Sequence, residues 1–189
     1  MTLLLAKWWL WITGFKVVGT ASEVAKYVVI AAPHTSNWDL PHALAAARVL
    51  GVSVHWVGKH TLFSWPLGWL MRRLGGIAVD RRAAHGMVEQ LAERFRQADR
   101  LVLLVPPEGT RSPAKLWKSG FYHIAKAAQV PIACSFVDYG RKQSGIGPLI
   151  LPSDDIRADM DKVRAFYADI RGRYPQNETV PRLKEESAN

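Results

Sequence analysis

One cysteine, Cys134, stands in a chain of 189 residues. That scarcity excludes an internal disulfide and a zinc site built on cysteine, and it fits a reducing compartment. Acidic residues are also few, 16 against 25 Lys and Arg, which leaves a formal charge of +9. Such a balance favours an anionic partner: a nucleic acid, an anionic membrane, or a phosphorylated or acidic substrate. Internal repeats, low-complexity tracts and linkers are missing, so a single domain with a substantial core is expected. Several catalytic signatures are missing too. There is no H-E-x-x-H and no G-x-S-x-G. "GVSVHWVGKH" has the wrong glycine spacing for a phosphate-binding loop, and no Ser or Thr follows Lys59. His42, His55, His60, His85 and His123 fall at no metal-ligand spacing.

What is abundant is apolar. Hydrophobic residues make up 49% of the chain, too many for a disordered one. Eight tryptophans are many for this size, and Trp8, Trp9, Trp11 and Trp38 crowd the front. The opening "MTLLLAKWWLWITGF" is shorter than the ~20 apolar residues a spanning helix needs. Lys7 interrupts it, and no small-residue cleavage site follows, so it makes a poor signal peptide. Two readings remain: a helix lying in one leaflet, favoured by tryptophan's preference for the interface, or a terminal helix packed on the core.

Residues 27–32, 53–57, 76–79, 101–105 and 132–137 read as strands, several of them apolar throughout, as strands covered on both faces are. Between them lie helical patterns. Residues 40–51 close on Gly51, residues 65–76 have Pro66 near their start and a glycine pair at their end, and 86–98 repeat Val88, Leu91 and Phe95 at helical spacing. A late helix carries Ile156, Met160, Val163, Phe166 and Ile170, with Ser153 as its expected cap. Strands alternating with helices give an α/β domain with a mixed, mostly parallel sheet flanked by helices. The expected division is a membrane-associating segment at 1–14, a domain at 15–175, and a polar, frayed tail at 176–189.

In such folds ligands sit at the C-terminal ends of strands. Three polar clusters fall there: "HTSNWD" (34–39), "DRR" (80–82) and "PPEGTRS" (106–112). Helix capping by Ser36 and Asp39 accounts for part of the first cluster but leaves His34 unexplained. In the sharper reading His34 is a general base and Asp39 fixes its tautomer. In the third cluster a glycine permits close backbone approach, and Arg111 can fork onto phosphate or carboxylate. Its plain alternative is a polar turn with a surface ion pair.

Taken together, "HTSNWD", "GGIAVDR", "PPEGTRS" and "VPI" (130–132), with "KSG" (118–120), stand in the order and rough spacing of the glycerolipid acyltransferases. From about residue 15 to 150 the chain resembles that family, which contains the 1-acylglycerol-3-phosphate acyltransferases. The resemblance implies an α/β fold with a membrane-associating N-terminus. It implies a catalytic His34–Asp39 pair, and an acceptor site at Arg81, Glu108, Gly109, Thr110 and Arg111. It further implies transfer of a fatty acyl group from a thioester of acyl carrier protein or coenzyme A to a lysolipid hydroxyl in membrane lipid synthesis. No metal and no resident cofactor are expected, nor is nucleic acid a partner. The expected location is peripheral, on the cytoplasmic face of a bacterial inner membrane. Two positions depart from the family pattern: Pro106 where an aromatic residue is common, and Cys134 where a second proline is usual. An ester or phosphoester hydrolase using the same pair is the alternative enzyme, distinguished by thioester consumption without a lysolipid. A nucleic-acid-binding module and a non-catalytic membrane protein are the other classes weighed; the spread-out basic residues speak against the former.

Overall fold

The computed structural model describes residues 1–79 and 84–187. Its centre is a seven-stranded sheet in the order β1-β7-β6-β2-β5-β3-β4. The strands are β1 (Lys16–Val18), β2 (Lys26–Ala31), β3 (Val54–Lys59), β4 (Gly76–Val79), β5 (Leu101–Val105), β6 (Ile132–Asp138) and β7 (Gln143–Ile150). Neighbours run parallel except for the β6–β7 pair, which is antiparallel.

Alternation along β2 sorts two cores, because successive side chains point to opposite faces. Val28 and Ile30 join Leu91 and Phe95 of α4 (Ala84–Gln97), Phe121 and Ile124 of α5 (Gly120–Ala128), and Met160 and Val163 of α6 (Ile156–Tyr167). Tyr27 and Val29 join Phe63, with Leu40 and Leu44 of α2 (Asp39–Val49) and Met71 of α3 (Gly68–Arg73) packed against them. With both faces covered, the strands need no polar side, which is why 101–105 is apolar from end to end.

On the second face α1 (Leu3–Thr13) packs on α2, burying Ala6 and Leu10 against Ala45. Thr2 caps α1 by accepting from the Leu5 N–H, and Gly14, in the left-handed region, closes it. Trp9 stacks on Trp38 at 5.7 Å between ring centroids. One side of α1 is therefore core, while Leu4, Leu5, Trp8, Trp11 and Ile12 stay exposed on the other.

Three elements were not anticipated. β1 has three residues, too few to show a period. β7 reads "QSGIGPLI", whose two glycines and proline resemble a turn. α5 follows the polar segment after β5, where the sequence pattern gives no expectation of a helix. Two expectations shift. Asp155, not Ser153, caps α6, accepting from the Ala158 N–H, while the Ser153 hydroxyl accepts from the Asp155 N–H. Nor is the C-terminal stretch frayed through residue 187. Leu183 is fully buried, and the Glu186 carboxylate accepts from Arg164 at 2.7 Å and from the Leu183 N–H at 2.6 Å.

Candidate active site

The loop after β2 delivers His34, and the first residue of α2 is Asp39. His34 Nδ1 lies 3.2 Å from Asp39 Oδ2. The same oxygen accepts from the Thr35 N–H at 2.9 Å and the Ser36 N–H at 2.8 Å. The other oxygen, Oδ1, accepts from the Tyr139 hydroxyl at 3.0 Å. Asp39 is buried, and four donors compensate the loss of water around its charge. The carboxylate thus reaches back to the turn as in a capping box, and Ser36 acts within the turn, its hydroxyl accepting from the Trp38 N–H. An acceptor at Nδ1 places the ring proton there and leaves Nε2 as the basic nitrogen.

His34 lines a cavity of about 180 Å³ between α2 and the end of β3. Leu40, Ala43, Trp56, Leu62 and Leu104 make much of its wall apolar, while Asn37 and Arg111 bring polar groups to it. Burial raises the Tyr139 phenol above its ordinary range, with the charge of Asp39 adding to the effect. Tyr139 therefore stays a neutral donor to the carboxylate. The Arg173 guanidinium sits 5.9 Å from the ring centroids of both Trp38 and Tyr139. Neither Tyr139 nor Arg173 carries a signal in the sequence, since neither belongs to a motif.

The segment after β5 holds Glu108, Gly109, Thr110 and Arg111. Glu108 is only 2% exposed, and its Oε1 accepts from the His34 N–H at 3.0 Å. It lies behind the histidine and braces that backbone. Gly109 adopts φ +66, and a Cβ there would stand 2.9 Å from the Lys118 side chain, so the turn requires glycine. Thr110 is exposed, and its hydroxyl accepts from the Ser112 N–H at 3.2 Å. Arg111 is exposed and reaches the cavity that His34 lines. Arg81 lies outside the described residues. Among the described residues, no three His, Cys, Asp or Glu side chains gather as a metal site. Cys134 is buried in β6, and burial pushes its thiol up to about 12, so it is no nucleophile.

Glu108 has a testable consequence for stability. Burial raises its carboxyl from 4.5 to about 7, against the opposing effect of the His34 N–H, and Oε2 has no hydrogen-bond partner among the described residues. Below pH 4.5 the group is protonated in folded and unfolded chains alike. As pH rises from there to about 7, the unfolded chain releases its proton first, so stability falls through that window. The full effect is about 3 kcal/mol. Glu108→Gln should remove this fall, so urea unfolding of the variant should lose less stability than the parent between about pH 5 and about pH 8. Parallel pH profiles for the two proteins would refute the burial argument.

A sequence model described as Acyltransferase matches residues 14–137. This chain belongs to the acyltransferase family. The match ends within β6 and contains the His34–Asp39 pair, the segment after β5 and the apolar cavity between them. No curated protein matches the sequence. Among solved structures, this acyltransferase resembles the 1-acyl-sn-glycerophosphate (LPA) acyltransferase PlsC from Thermotoga maritima, with a TM-score of 0.60 at 20% identity. The likeness covers 90% of this chain and 79% of that one, and it establishes the shared α/β fold.

Proposed function

We propose that this O-acyltransferase moves a fatty acyl group from a thioester to the hydroxyl of a lysolipid. The observation that carries this reading is the tautomer-fixed His34, set by Asp39 at the wall of an apolar cavity that Arg111 also reaches. His34 Nε2 takes the acceptor's hydroxyl proton as the oxygen attacks the thioester carbonyl carbon. A tetrahedral oxyanion forms. Its collapse breaks the carbon–sulfur bond, and the departing sulfur takes the proton from His34 to leave as a thiol. Asp39 stabilises the imidazolium between the two steps. The Thr35, Ser36 and Trp38 amides are engaged within the turn, so Asn37, beside them at the cavity, is our choice of oxyanion donor. The apolar wall suits a hydrocarbon chain.

The donor is a thioester of acyl carrier protein or coenzyme A. For the acceptor, the fold shared with an LPA acyltransferase makes lysophosphatidic acid the first candidate. Its anionic headgroup would meet Arg111 and, on the resemblance of the sequence motifs, Arg81, while Glu108, Gly109 and Thr110 shape the loop. The exposed side of α1, with Leu4, Trp8 and Trp11, supports peripheral attachment to the membrane surface, and the resemblance of the sequence motifs implies its cytoplasmic face. Among the described residues no helix is long and apolar enough to cross a membrane.

A thiol-release assay with both donors against a panel of lysolipids, products identified by mass spectrometry, tests the reading. Release that needs no lysolipid would sink it in favour of hydrolysis. In the same assay Arg111→Ala and Arg81→Ala should each raise the acceptor's KM. One charge-assisted hydrogen bond of about 1.5–3 kcal/mol corresponds to about ten- to a hundred-fold. The donor's KM should stay near that of the parent. An unchanged acceptor KM in both variants would remove these arginines from the acceptor site.

A further inference from the structure

Between β3 and β4 the chain makes a 3₁₀ turn, His60–Phe63, and then enters α3. This segment exposes four large apolar side chains close together: Leu62 at 50%, Trp65 at 93%, Leu67 at 58% and Trp69 at 65%. Exposed large apolar residues scattered singly are ordinary, whereas a run of them marks an interaction surface. The segment is also built to hold this arrangement. Phe63 is buried at its centre and packs on Trp56 with ring centroids 5.7 Å apart. A Cβ at Gly68 would lie 2.0 Å from the Phe63 carbonyl oxygen, so only glycine lets α3 start directly on that turn. With Phe63 turned inward, its neighbours point to solvent.

We infer that residues 62–69 are a second lipid-contacting segment, which inserts into an anionic phospholipid surface beside the mouth of the active site. Three observations choose this occupant. Tryptophan and leucine flanked by arginine is the chemistry of the bilayer interface, and Arg72 and Arg73, both exposed, end α3 next to the patch. The chain carries +9, which attracts anionic headgroups and disfavours pairing with a second copy of itself. Leu62 belongs both to the patch and to the cavity wall that His34 shares, so the exposed apolar surface runs into the site. α1 lies beyond α2 on this same face of the sheet, with its own tryptophans exposed. The cavity then sits between two apolar contacts, and a lysolipid can enter without its chain crossing water. The inference rests on the proposed lipid acceptor for its purpose, but the binding it predicts does not depend on catalysis.

The test uses the full chain with Leu67→Cys carrying an environment-sensitive nitrobenzoxadiazole label; Cys134 is fully buried, which leaves the introduced thiol as the reactive one. Vesicles of phosphatidylcholine with phosphatidylglycerol should shift the label's emission to the blue and raise it several-fold, and spin labels near the headgroup should quench it. The same label at Glu89→Cys, on α4 across the sheet, should not respond. Trp65→Ser/Trp69→Ser should weaken vesicle partitioning by roughly tenfold or more, since two large aromatic side chains no longer leave water on binding. That double variant should lose turnover on an acceptor embedded in vesicles and keep it on a short-chain, monomeric one. A silent label at position 67 on protein that co-sediments with vesicles would overturn the inference. So would a response to acidic carrier protein alone, a response that tracks dimer formation without lipid, or equal loss of turnover on both acceptors. If the label responds but the parent acylates neither acceptor, the lipid contact stands and the proposed reaction fails.

Discussion

Folded His34→Ala protein should transfer acyl groups about 10²–10⁴ times more slowly than the parent, the range typical of a lost general base. The size of the loss follows from the absence of a substitute. His34 is the ring that Asp39 orients, at 3.2 Å, and it lines the cavity in which acceptor and thioester would meet. The variant should keep the fold, because the buried Asp39 carboxylate retains three of its four donors. The His34 contact that braces the loop is its backbone N–H to Glu108, which alanine keeps. Initial rates of thiol release, measured beside thermal melting, check both halves of the expectation. Near-parental turnover by a variant that melts normally would remove His34 from the mechanism.

Changing Asp39 should damage chemistry and fold together, and two substitutions separate them. Asp39→Ala removes the acceptor for the Thr35 and Ser36 amides and for the Tyr139 hydroxyl, all at a buried position. Donors left unsatisfied in this way lower stability by about 3–5 kcal/mol, so a marked drop in melting temperature is expected. Asp39→Asn retains an oxygen for the two amides but carries no charge to meet the imidazolium. It should fold better than the alanine variant and still lose turnover by about 10²–10⁴. Because the two side chains act as one unit, Asp39→Asn added to His34→Ala should slow the reaction little further. Additive losses would mean that Asp39 contributes independently of the histidine. Tyr139→Phe, by contrast, removes one of four donors to Asp39 and is expected to be milder.

The anchoring of the site explains why a short polar turn can hold a buried carboxylate. β2 is paired with β5 and β6, so the ends of these strands are fixed by the centre of the sheet. The loop after β2 supplies the histidine, that after β5 the glutamate that holds its backbone, and that after β6 the tyrosine that holds its aspartate. Three strand ends converge on one pair of side chains. Such convergence at the carboxyl ends of a sheet is the general advantage of α/β architecture for a site.

What the sequence determined by itself was local in the chain. The strands at 76–79 and 101–105 lie where their apolar runs placed them, the second because a strand covered on both faces must be apolar throughout. His34 and Asp39, five residues apart, could be paired from the sequence, since the turn between a strand end and the next helix brings such neighbours together. Gly109 reads in sequence as a point of close backbone approach, and only the structure shows the positive φ of its turn. The tertiary structure alone decided contacts between distant segments. Glu108, 74 residues from His34, reads in sequence as part of an acceptor loop and in space as a buried brace behind the base. Tyr139 meets Asp39 across 100 residues, and Arg173 joins it from beyond α6. The same holds for the C-terminal stretch, polar in composition yet held by Leu183 in the core and Glu186 on Arg164. The physical reason is one of range. Hydrophobic period and turn chemistry act between near neighbours, whereas a hydrogen bond between far segments depends on the register and order of strands, which no single stretch of chain encodes.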